Sequence, residues 1–450
     1  SSACNCERPA LMLVSAGRTA TLADLIVKCK NKGCDGYRSL SGATRQENLK
    51  FMKCSGRRPW LLDEEICSEN VVPLQRGASN VYFPLTTSAI SIPPWSSSIQ
   101  SVLNNYWSVL RAIPVEAIPQ TVVGMNLPAR LGVAADLIIA AVRERKSGEA
   151  GNDQPLTEQE IRRQEWLALR QPTSGCSPTG DFRTRSAPVH PSLQDLISKV
   201  VLVDRLREVR VQLGFTRINP PDPDPAARYE ITRAPLSRTH KDWLPAIEVH
   251  GEGIYLELNE DALVRWVDST AGALILARAK LIQKNYEEMC DRRKWKVSRE
   301  ITPRFLLAHS FAHTLIRQLS LESGYSSASL RERLYIFEPG ADSGSAGILV
   351  YTSTPDSEGS LGGLVRQGLP DRLAPTVKAG IQNAAWCSSD PLCIESEGQG
   401  HDALNLAACH ACLLLSETCC EEFNRLLDRA MLVGTMDKPE AGFFYPLLEV

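Results

Sequence analysis

The distribution of cysteines is the feature that most constrains how this sequence can fold. Twelve of the fourteen cysteines fall in two groups, at residues 4–67 and 387–420, and only Cys176 and Cys290 lie between them. No secretion signal opens the chain, and because the cytosol keeps thiols reduced, a disulfide framework is not expected. Clustered cysteines in such a protein usually bind metal. The sequence therefore predicts two structural Zn²⁺ sites, one near each end.

The first group is built around a short turn between two cysteines. In the segment CKNKGC, Lys and Gly lie between Cys29 and Cys34, as in a zinc knuckle, where a tight turn aims two thiolates at one ion. The chain begins at Ser1 without methionine and reaches CNC within six residues, so we expect natural sequence before it. The expected ligands of this group are Cys6, Cys29, Cys34, Cys54 and Cys67.

The second group contains the segment CHAC, a CxxC turn of the kind that holds structural zinc. We expect His410, inside this turn, to face solvent, and Cys419 to be a spare thiol. Two alternatives stay open: the cysteines are small buried apolar residues, or CHAC is a redox motif, which would require a preceding βαβ pattern that is not evident. The expected zinc ligands are Cys393, Cys409, Cys412 and Cys420, with Cys387 as a substitute.

A second candidate metal motif is HSFAH, which places His309 and His313 one helical turn apart. A metalloprotease of this spacing has its general-base Glu directly after the first histidine, and here that position is Ser310. Packed histidines that form hydrogen bonds between helices are therefore the main interpretation. The alternative is a metal-dependent hydrolase or nuclease that uses both histidines, with Glu322 or His401 as the third ligand.

The length of 450 residues exceeds what one hydrophobic core normally supports. The pattern of strands and helices predicts a mixed α/β (α+β) multi-domain protein with two cysteine zinc sites and a helix-rich C-terminal domain. Four segments are expected: a cysteine domain at 1–92, a helical segment at 98–170, a mixed α/β domain at 193–298 and a zinc-binding domain at 300–450.

Two helices have clear end signals. Thr157 and Glu160 form a predicted capping box before an apolar run. A longer helix, which carries HSFAH, is predicted to start after Thr302 with Pro303 at its first position and to stop near Gly324.

Other segments are assigned from periodicity. Residues 193–215 have helical spacing, and residues 246–258 alternate as two strands joined at the turn HGEG. Residues 326–334 and 423–431 are predicted to be short amphipathic helices, and residues 347–354 a buried strand.

Charge and known motifs exclude several functions. A formal net charge of −2 leaves room for nucleic-acid contact only through a local patch. No Gly-Lys-Ser/Thr sequence of a P-loop occurs, and the longest apolar stretch, residues 131–142, is too short to cross a membrane. Phosphate contact or base stacking is expected of residues near turns, unless these are ordinary solvated or intraprotein side chains: Arg57, Arg58, Trp60, Arg76 and Arg217.

Several segments resemble known families. LLAHSFAHTLIRQLSLESGYSSASLRERLYIF, GILVYTSTPDSEGSLGGL and the run from CSSDPLC to AACHACLLLSETCCEEFNRLLDR resemble the zinc-binding C-terminal domain found with superfamily 2 DNA helicases. CSGRRPWL, LQRGASNVYFP, RLREVRVQLGFTRI and HGEGIYLEL are similar to the DrmB family of the DISARM anti-phage system.

The resemblance implies a non-catalytic, zinc-stabilised accessory subunit in the bacterial cytoplasm. It would act beside a DrmA-type superfamily 2 helicase and help to engage single-stranded or overhang DNA. It also implies that cysteines matching Cys409, Cys412 and their neighbours hold the zinc, while the histidine helix belongs to the fold. A DNA-binding regulator that acts alone is a further alternative, and the net charge of −2 disfavours it.

Overall fold

The computed structural model describes the following residues: 4–8, 10–15, 25–40, 54–67, 82–92, 97–131, 134–149, 157–171, 181–218, 221, 233–297, 299–339, 344–352 and 362–449. The chain divides into two compact units. Unit 1 consists of Ser1–Thr87, Gln212–Asp222 and Glu230–Pro245, and unit 2 consists of Ser88–Val211, Pro223–Tyr229 and Ala246–Val450.

Unit 1 contains two small antiparallel sheets. Strands β1 (Leu11–Ser15), β2 (Leu25–Cys29) and β3 (Tyr37–Ser39) form the first, in the order β1-β2-β3. Strands β4 (Arg57–Arg58) and β5 (Asp63–Glu64) form a hairpin around a 3-10 turn at Pro59–Leu61. Sheets this small bury little apolar surface, so a bound metal would add substantially to the stability of such a unit.

A six-stranded sheet organises unit 2. Its order is β10-β11-β9-β8-β6, with β7 paired to β8 outside this path. The strands are β6 (Phe83–Ile90), β7 (Arg183–Ala187), β8 (Ile197–Thr216), β9 (Ala246–Leu258), β10 (Leu330–Phe337) and β11 (Ser345–Thr352). Residues 83–87 of β6 and 212–216 of β8 fall in unit 1. The pairs β10 with β11, β11 with β9, β9 with β8 and β8 with β7 are antiparallel.

Two predictions about this sheet were wrong. Residues 193–215 form mainly strand β8 instead of a helix, because Val200 and Leu202 enter one core while Val201 and Val203 enter another. A strand buried on both faces has no simple alternation. Residues 246–258 form one continuous strand without a turn at HGEG.

The glycines of HGEG serve a packing role instead. A Cβ atom on Gly251 would lie 2.2 Å from the carbonyl oxygen of Thr352, and one on Gly253 would lie 2.8 Å from that of Val350. Both positions therefore let β9 approach β11 closely.

Eleven α-helices are present among the described residues. They are α1 (Ser97–Ala112), α2 (Ile118–Gly124), α3 (Leu127–Leu131), α4 (Ala135–Glu149), α5 (Glu158–Arg170), α6 (Glu260–Val267), α7 (Gly272–Arg293), α8 (Pro303–Ser323), α9 (Gly363–Gln367), α10 (Pro370–Ala384) and α11 (Ala430–Val433). Helix α8 packs against β10, β11 and α10 and is buried over most of its length.

The end signals of two helices are confirmed. Thr157 caps α5. Its side chain accepts a hydrogen bond from the Glu160 backbone N–H, and the Glu160 side chain accepts one from the Thr157 backbone N–H, as in a capping box. The Thr302 side chain accepts a hydrogen bond from the Phe305 N–H at the start of α8, and Gly324 ends this helix with a left-handed φ of 74°.

Two short helices predicted near the C-terminus were wrong. Residues 326–334 form a 3-10 turn at Ser327–Ser329 followed by β10, because Leu330 and Leu334 enter the core that includes α8 while the next residue, Tyr335, enters the core on the other face. Residues 423–431 are mostly turns. Phe423 and Leu426 have φ values of 55° and 60°, which a right-handed helix does not allow, and only the last part of the segment enters α11.

Several of the four segments predicted from sequence contribute to the same sheet and the same core. The boundary near residue 300 separates β9 from β11, yet these strands pair from Gly253 to Glu257 with Gly347 to Tyr351. Leu256 and Ile348 also belong to one core. The segments 193–298 and 300–450 therefore contribute to one sheet, and the whole of the helical segment 98–170 also falls in unit 2. The α+β class is confirmed.

Among the described helices, none combines the length and the apolar character that crossing a bilayer requires.

Candidate metal centres

Four cysteines of unit 1 meet at one point. Cys29 is the last residue of β2, and Gly33 (φ 79°) allows the tight turn in which the Cys34 N–H donates to the Asn31 carbonyl at 3.0 Å. The segment with Cys4 and Cys6 lies beside this turn, since the Asn31 side chain donates to the Arg8 carbonyl at 2.8 Å. The sulfur atoms of all four cysteines lie within 4.8 Å of one another. We call Cys4, Cys6, Cys29 and Cys34 the N-terminal cysteine centre.

This centre differs from the set expected from sequence. Cys54 and Cys67 lie at the two ends of the β4–β5 hairpin, and no third potential ligand joins them among the described residues. Cys4, which was left out, takes part instead. The hairpin holds Cys54 by its own local contacts, including a 3.3 Å hydrogen bond from the Gly56 N–H to the Cys54 sulfur.

Four cysteines of unit 2 form a tighter cluster. The Cys409 sulfur lies 3.5 Å from that of Cys387 and 3.7 Å from that of Cys412, and the Cys393 sulfur lies 3.8 Å from that of Cys412. A disulfide requires about 2.05 Å. Thiolates around one tetrahedral zinc stand about 3.8 Å apart, given Zn–S bonds of about 2.3 Å. We call Cys387, Cys393, Cys409 and Cys412 the C-terminal cysteine centre, and its dimensions fit zinc.

A buried arginine holds the loops of this centre in place. Arg429 donates to the Ala384 carbonyl at the end of α10 and to the Asp390 carboxylate at 2.6 Å, and Asp390 in turn accepts from the Cys387 N–H at 2.8 Å. Contacts of this kind, one step removed from the ion, orient metal ligands. Arg429 therefore helps to orient Cys387 indirectly, because Asp390 links its guanidinium to the Cys387 backbone N–H.

One thiol of each centre, Cys29 or Cys409, has a lowered pKa and so ionises readily to the thiolate that binds metal, whereas burial raises the pKa of Cys393 and Cys412. The Asn31 N–H lowers the pKa of Cys29 to about 7. Burial raises the pKa of Cys409, but the Ala411 N–H and the Cys387 thiol outweigh it and bring this pKa to about 7. His410, inside the CxxC turn, is exposed.

The sequence predicted Cys420 as a ligand of the C-terminal cysteine centre, but the structure places it elsewhere. The chain turns at Phe423 and Asn424, both with positive φ, and this places the Cys420 sulfur 3.2 Å from Nε2 of His309. Cys387, the expected substitute, occupies the fourth position. Cys419 points elsewhere and donates to the Ser327 carbonyl at 2.8 Å.

The HSFAH motif forms part of a third cluster. His309, His313, Glu332 and Cys420 bring one ligand atom each within 4.8 Å of the others. Glu322 instead accepts hydrogen bonds from Gln318 and Thr376, and the side chain of His401 lies outside the described part of the chain. All four members are buried, whereas a hydrolytic zinc needs an open position for water and substrate. The geometry therefore disfavours a hydrolase.

The candidate DNA contacts are partly brought together in unit 1. The Trp60 ring packs edge-on against Phe215 at 4.9 Å and remains 44% exposed. Phe215 is two residues from the exposed Arg217, so the strand end and the hairpin meet here. The prediction of a DNA contact at Arg58 needs correction. Asp63 and Glu65 each pair with its guanidinium at 2.8 Å and offset its charge. Arg57 is exposed, and Arg76 lies outside the described residues.

Two family profiles match parts of this chain. The family profile of the MrfA Zn-binding domain matches residues 311–413, which include His313 and the whole C-terminal cysteine centre. A domain of unknown function (DUF8724) matches residues 1–83, which include the N-terminal cysteine centre.

Relatives of the whole chain are also known. The DISARM protein DrmB of Bacillus paralicheniformis is 36% identical over 97% of this chain and 77% of its own length. Among solved structures, the crystal structure of the DUF1998 helicase MrfA bound to DNA is 14% identical, with a TM-score of 0.22, over 46% of this chain and 21% of that chain.

Proposed function

The chain belongs to the DrmB family of DISARM proteins, and from this premise we propose that it is a non-catalytic, zinc-stabilised accessory subunit of a superfamily 2 DNA helicase. It acts in the cytoplasm as part of an anti-phage complex and helps this complex to engage single-stranded or overhang DNA. The observation that carries the proposal is a helicase-type zinc domain in a sequence that contains no P-loop.

Zinc has a structural role in this proposal. Each cysteine centre offers four sulfur atoms and hence a closed coordination shell, which leaves no position for an activated water. Binding energy at such a site becomes folding energy, because the unfolded chain has no preformed site. The two ions therefore stabilise loops that carry little apolar core of their own.

The partner is a DrmA-type helicase subunit that supplies ATP hydrolysis. The test is to purify the two proteins together and alone, count zinc per chain, and assay ATPase with and without single-stranded DNA. We expect a stable complex whose ATPase responds to DNA, and no ATPase from this chain alone. ATP hydrolysis by the isolated chain, or failure to associate with the helicase, would contradict the proposal.

DNA contact is proposed for unit 1, around Arg57, Trp60 and Arg217. Phe215 and the Pro235 carbonyl, which accepts from the Trp60 indole at 2.9 Å, fix the ring while one part of it stays exposed. A fixed, exposed aromatic ring beside arginines is suited to stack a base next to its phosphate.

We expect Arg57→Ala and Trp60→Ala each to weaken binding of the complex to single-stranded DNA, by about 5-fold or more for Trp60, since stacking contributes about 1–3 kcal/mol per base. Trp60→Phe should retain most of the affinity. Arg265→Ala, which removes an exposed arginine of unit 2, is the control for a general loss of positive charge. Equal effects of Arg57→Ala and Arg265→Ala in fluorescence-anisotropy titrations would argue against a specific contact in unit 1.

A further inference from the structure

His309, His313, Glu332 and Cys420 converge from three parts of unit 2 that are distant in sequence. The histidines come from α8, Glu332 from β10, and Cys420 from the loop that follows the C-terminal cysteine centre. His309, His313 and Glu332 are 0% exposed, and Cys420 is 3% exposed. We call these four residues the mixed centre.

The distances in the mixed centre are close to those of a tetrahedral coordination shell. Zn–N and Zn–O bonds of about 2.0–2.1 Å and a Zn–S bond of about 2.3 Å place ligand atoms about 3.3–3.8 Å apart. His309 Nε2 lies 3.2 Å from the Cys420 sulfur and 3.1 Å from Glu332 Oε1. His313 Nε2 lies 3.7 Å from the same carboxylate oxygen.

The hydrogen bonds of the two imidazoles direct their lone pairs into the centre. Nδ1 of His309 lies 3.1 Å from the Leu426 carbonyl, and Nδ1 of His313 lies 3.0 Å from the Leu413 carbonyl. A carbonyl oxygen only accepts, so in both rings Nδ1 carries the proton and Nε2 of the neutral ring has a free lone pair. Donation to a backbone carbonyl is the usual second contact of a metal-binding histidine.

The anionic members have the contacts of ligands. The Cys420 sulfur accepts hydrogen bonds from the backbone N–H groups of Glu422 at 3.3 Å and Asn424 at 3.2 Å, which offset part of the burial that raises the pKa of this thiol. The Glu421 N–H donates to Glu332 Oε1 at 3.2 Å. His313 Nε2 and Glu332 Oε2 are buried without any hydrogen-bond partner among the described residues, so two polar atoms of the mixed centre are left unsatisfied by the protein.

We propose that the mixed centre binds a third divalent cation, Zn²⁺, in a closed structural site. Two neutral histidines, one carboxylate and one thiolate around a dication carry no net charge, and a neutral group is the form that burial tolerates. Magnesium and calcium prefer shells of oxygen only, whereas zinc accepts nitrogen, sulfur and oxygen together. The ion joins α8 to β10 and to the loop at 419–426.

The competing occupant of this position is a proton. Without a metal, a second proton on His309 could bridge its Nε2 to the Glu332 carboxylate. Such a bridge would still leave His313 Nε2 unpaired in a fully buried position, which costs about 1–3 kcal/mol. A metal ion satisfies all four ligand atoms at once.

The direct test is the zinc content and zinc-edge X-ray absorption of the full-length, tag-free chain. We expect three ions per chain. Two cysteine centres and one mixed centre supply nine sulfurs and three nitrogen or oxygen atoms, so the average shell contains three sulfurs and one lighter atom. The lighter atom is resolved by its shorter bond, about 2.0–2.1 Å against about 2.3 Å for sulfur. A zinc shell of sulfur alone would overturn the proposal.

Matched variants assign the third ion to its residues. Cys420→Ser and His313→Gln should each remove one zinc and the light-atom part of the shell. Cys419→Ser changes the adjacent buried thiol and His410→Gln changes an exposed histidine, and both should keep three ions. Loss of zinc from the Cys419 control as readily as from Cys420→Ser would contradict the assignment. If Cys420→Ser and His313→Gln do not fold, the X-ray absorption of the unaltered chain still decides between metal and proton.

Discussion

Arg333 and Glu165 form an ion pair in the interior of unit 2, and each side chain is only 1% exposed. Two guanidinium nitrogens donate to the two carboxylate oxygens at 2.7 Å, and the Tyr335 hydroxyl donates to Glu165 at 3.1 Å. The pair connects α5 to β10. Loss of the Glu165 charge leaves Arg333 buried with only the Glu421 carboxylate, 3.9 Å away, as an anionic neighbour, and this is far more costly than loss of a surface pair.

We therefore expect Glu165→Gln to lower the free energy of unfolding of unit 2 by about 3–5 kcal/mol. Glu248→Gln is the control: Glu248 also pairs with an arginine, Arg207, but its side chain is 56% exposed, so its loss should cost less than about 1 kcal/mol. Urea denaturation followed by tryptophan fluorescence measures both. Similar midpoints for the two variants would show that the buried pair contributes no more than an exposed one.

At the scale of single residues, the sequence identified cysteines as candidate metal ligands more reliably than it predicted which cysteines group together. The turns with Cys29 and Cys34 and with Cys409 and Cys412 were recognisable because their spacing is local. Cys420 was not assigned to the histidines, because its place depends on a turn that only tertiary structure reveals. For Arg58 a signal was present: the acidic residues that follow RRPWLL lie opposite it in the hairpin.

Among the elements, α5 depends on its first turn. The Thr157 hydroxyl accepts from the Glu160 N–H at 3.2 Å, and the Glu160 carboxylate accepts from the Thr157 N–H at 2.7 Å. We expect Thr157→Ala to destabilise unit 2 by about 1 kcal/mol, because the Glu160 N–H in the first turn loses its acceptor. Thr157→Ser retains the hydroxyl and should unfold at nearly the unaltered urea concentration. Equal losses for both would point to the methyl group rather than the cap.

Helices with capping residues were predictable, and buried strands were not. Thr302, Pro303 and Gly324 fix both ends of α8 by local chemistry, which a sequence displays directly. Strand β8 has apolar residues on both faces, and irregular pairing with β9 near Ile197 and Val203 further shifts its phase. The resulting pattern cannot be distinguished from helical spacing without knowledge of the cores on either side.

For the molecule as a whole, the two cysteine centres lie in different units and share no ligand. Each ion should therefore stabilise its own unit, with a contribution of about 10 kcal/mol or more at such sites. We expect Cys29→Ser to remove one zinc and to speed hydrogen exchange in β1–β3 while exchange in unit 2 stays unchanged. Cys409→Ser should remove a different ion and expose the backbone around residues 387–413.

Cys54→Ser is the control for these two variants and also tests the ligand set of unit 1. Cys54 is exposed and lies outside the N-terminal cysteine centre, so its replacement should leave both the zinc content and the exchange of β1–β3 unchanged. Cys4→Ser, by contrast, should behave like Cys29→Ser, because its sulfur lies with those of the other three ligands. Mass spectrometry under native conditions counts the ions in each variant. If Cys54→Ser released zinc and Cys4→Ser did not, the hairpin cysteines would be the ligands, as their sequence grouping first indicated.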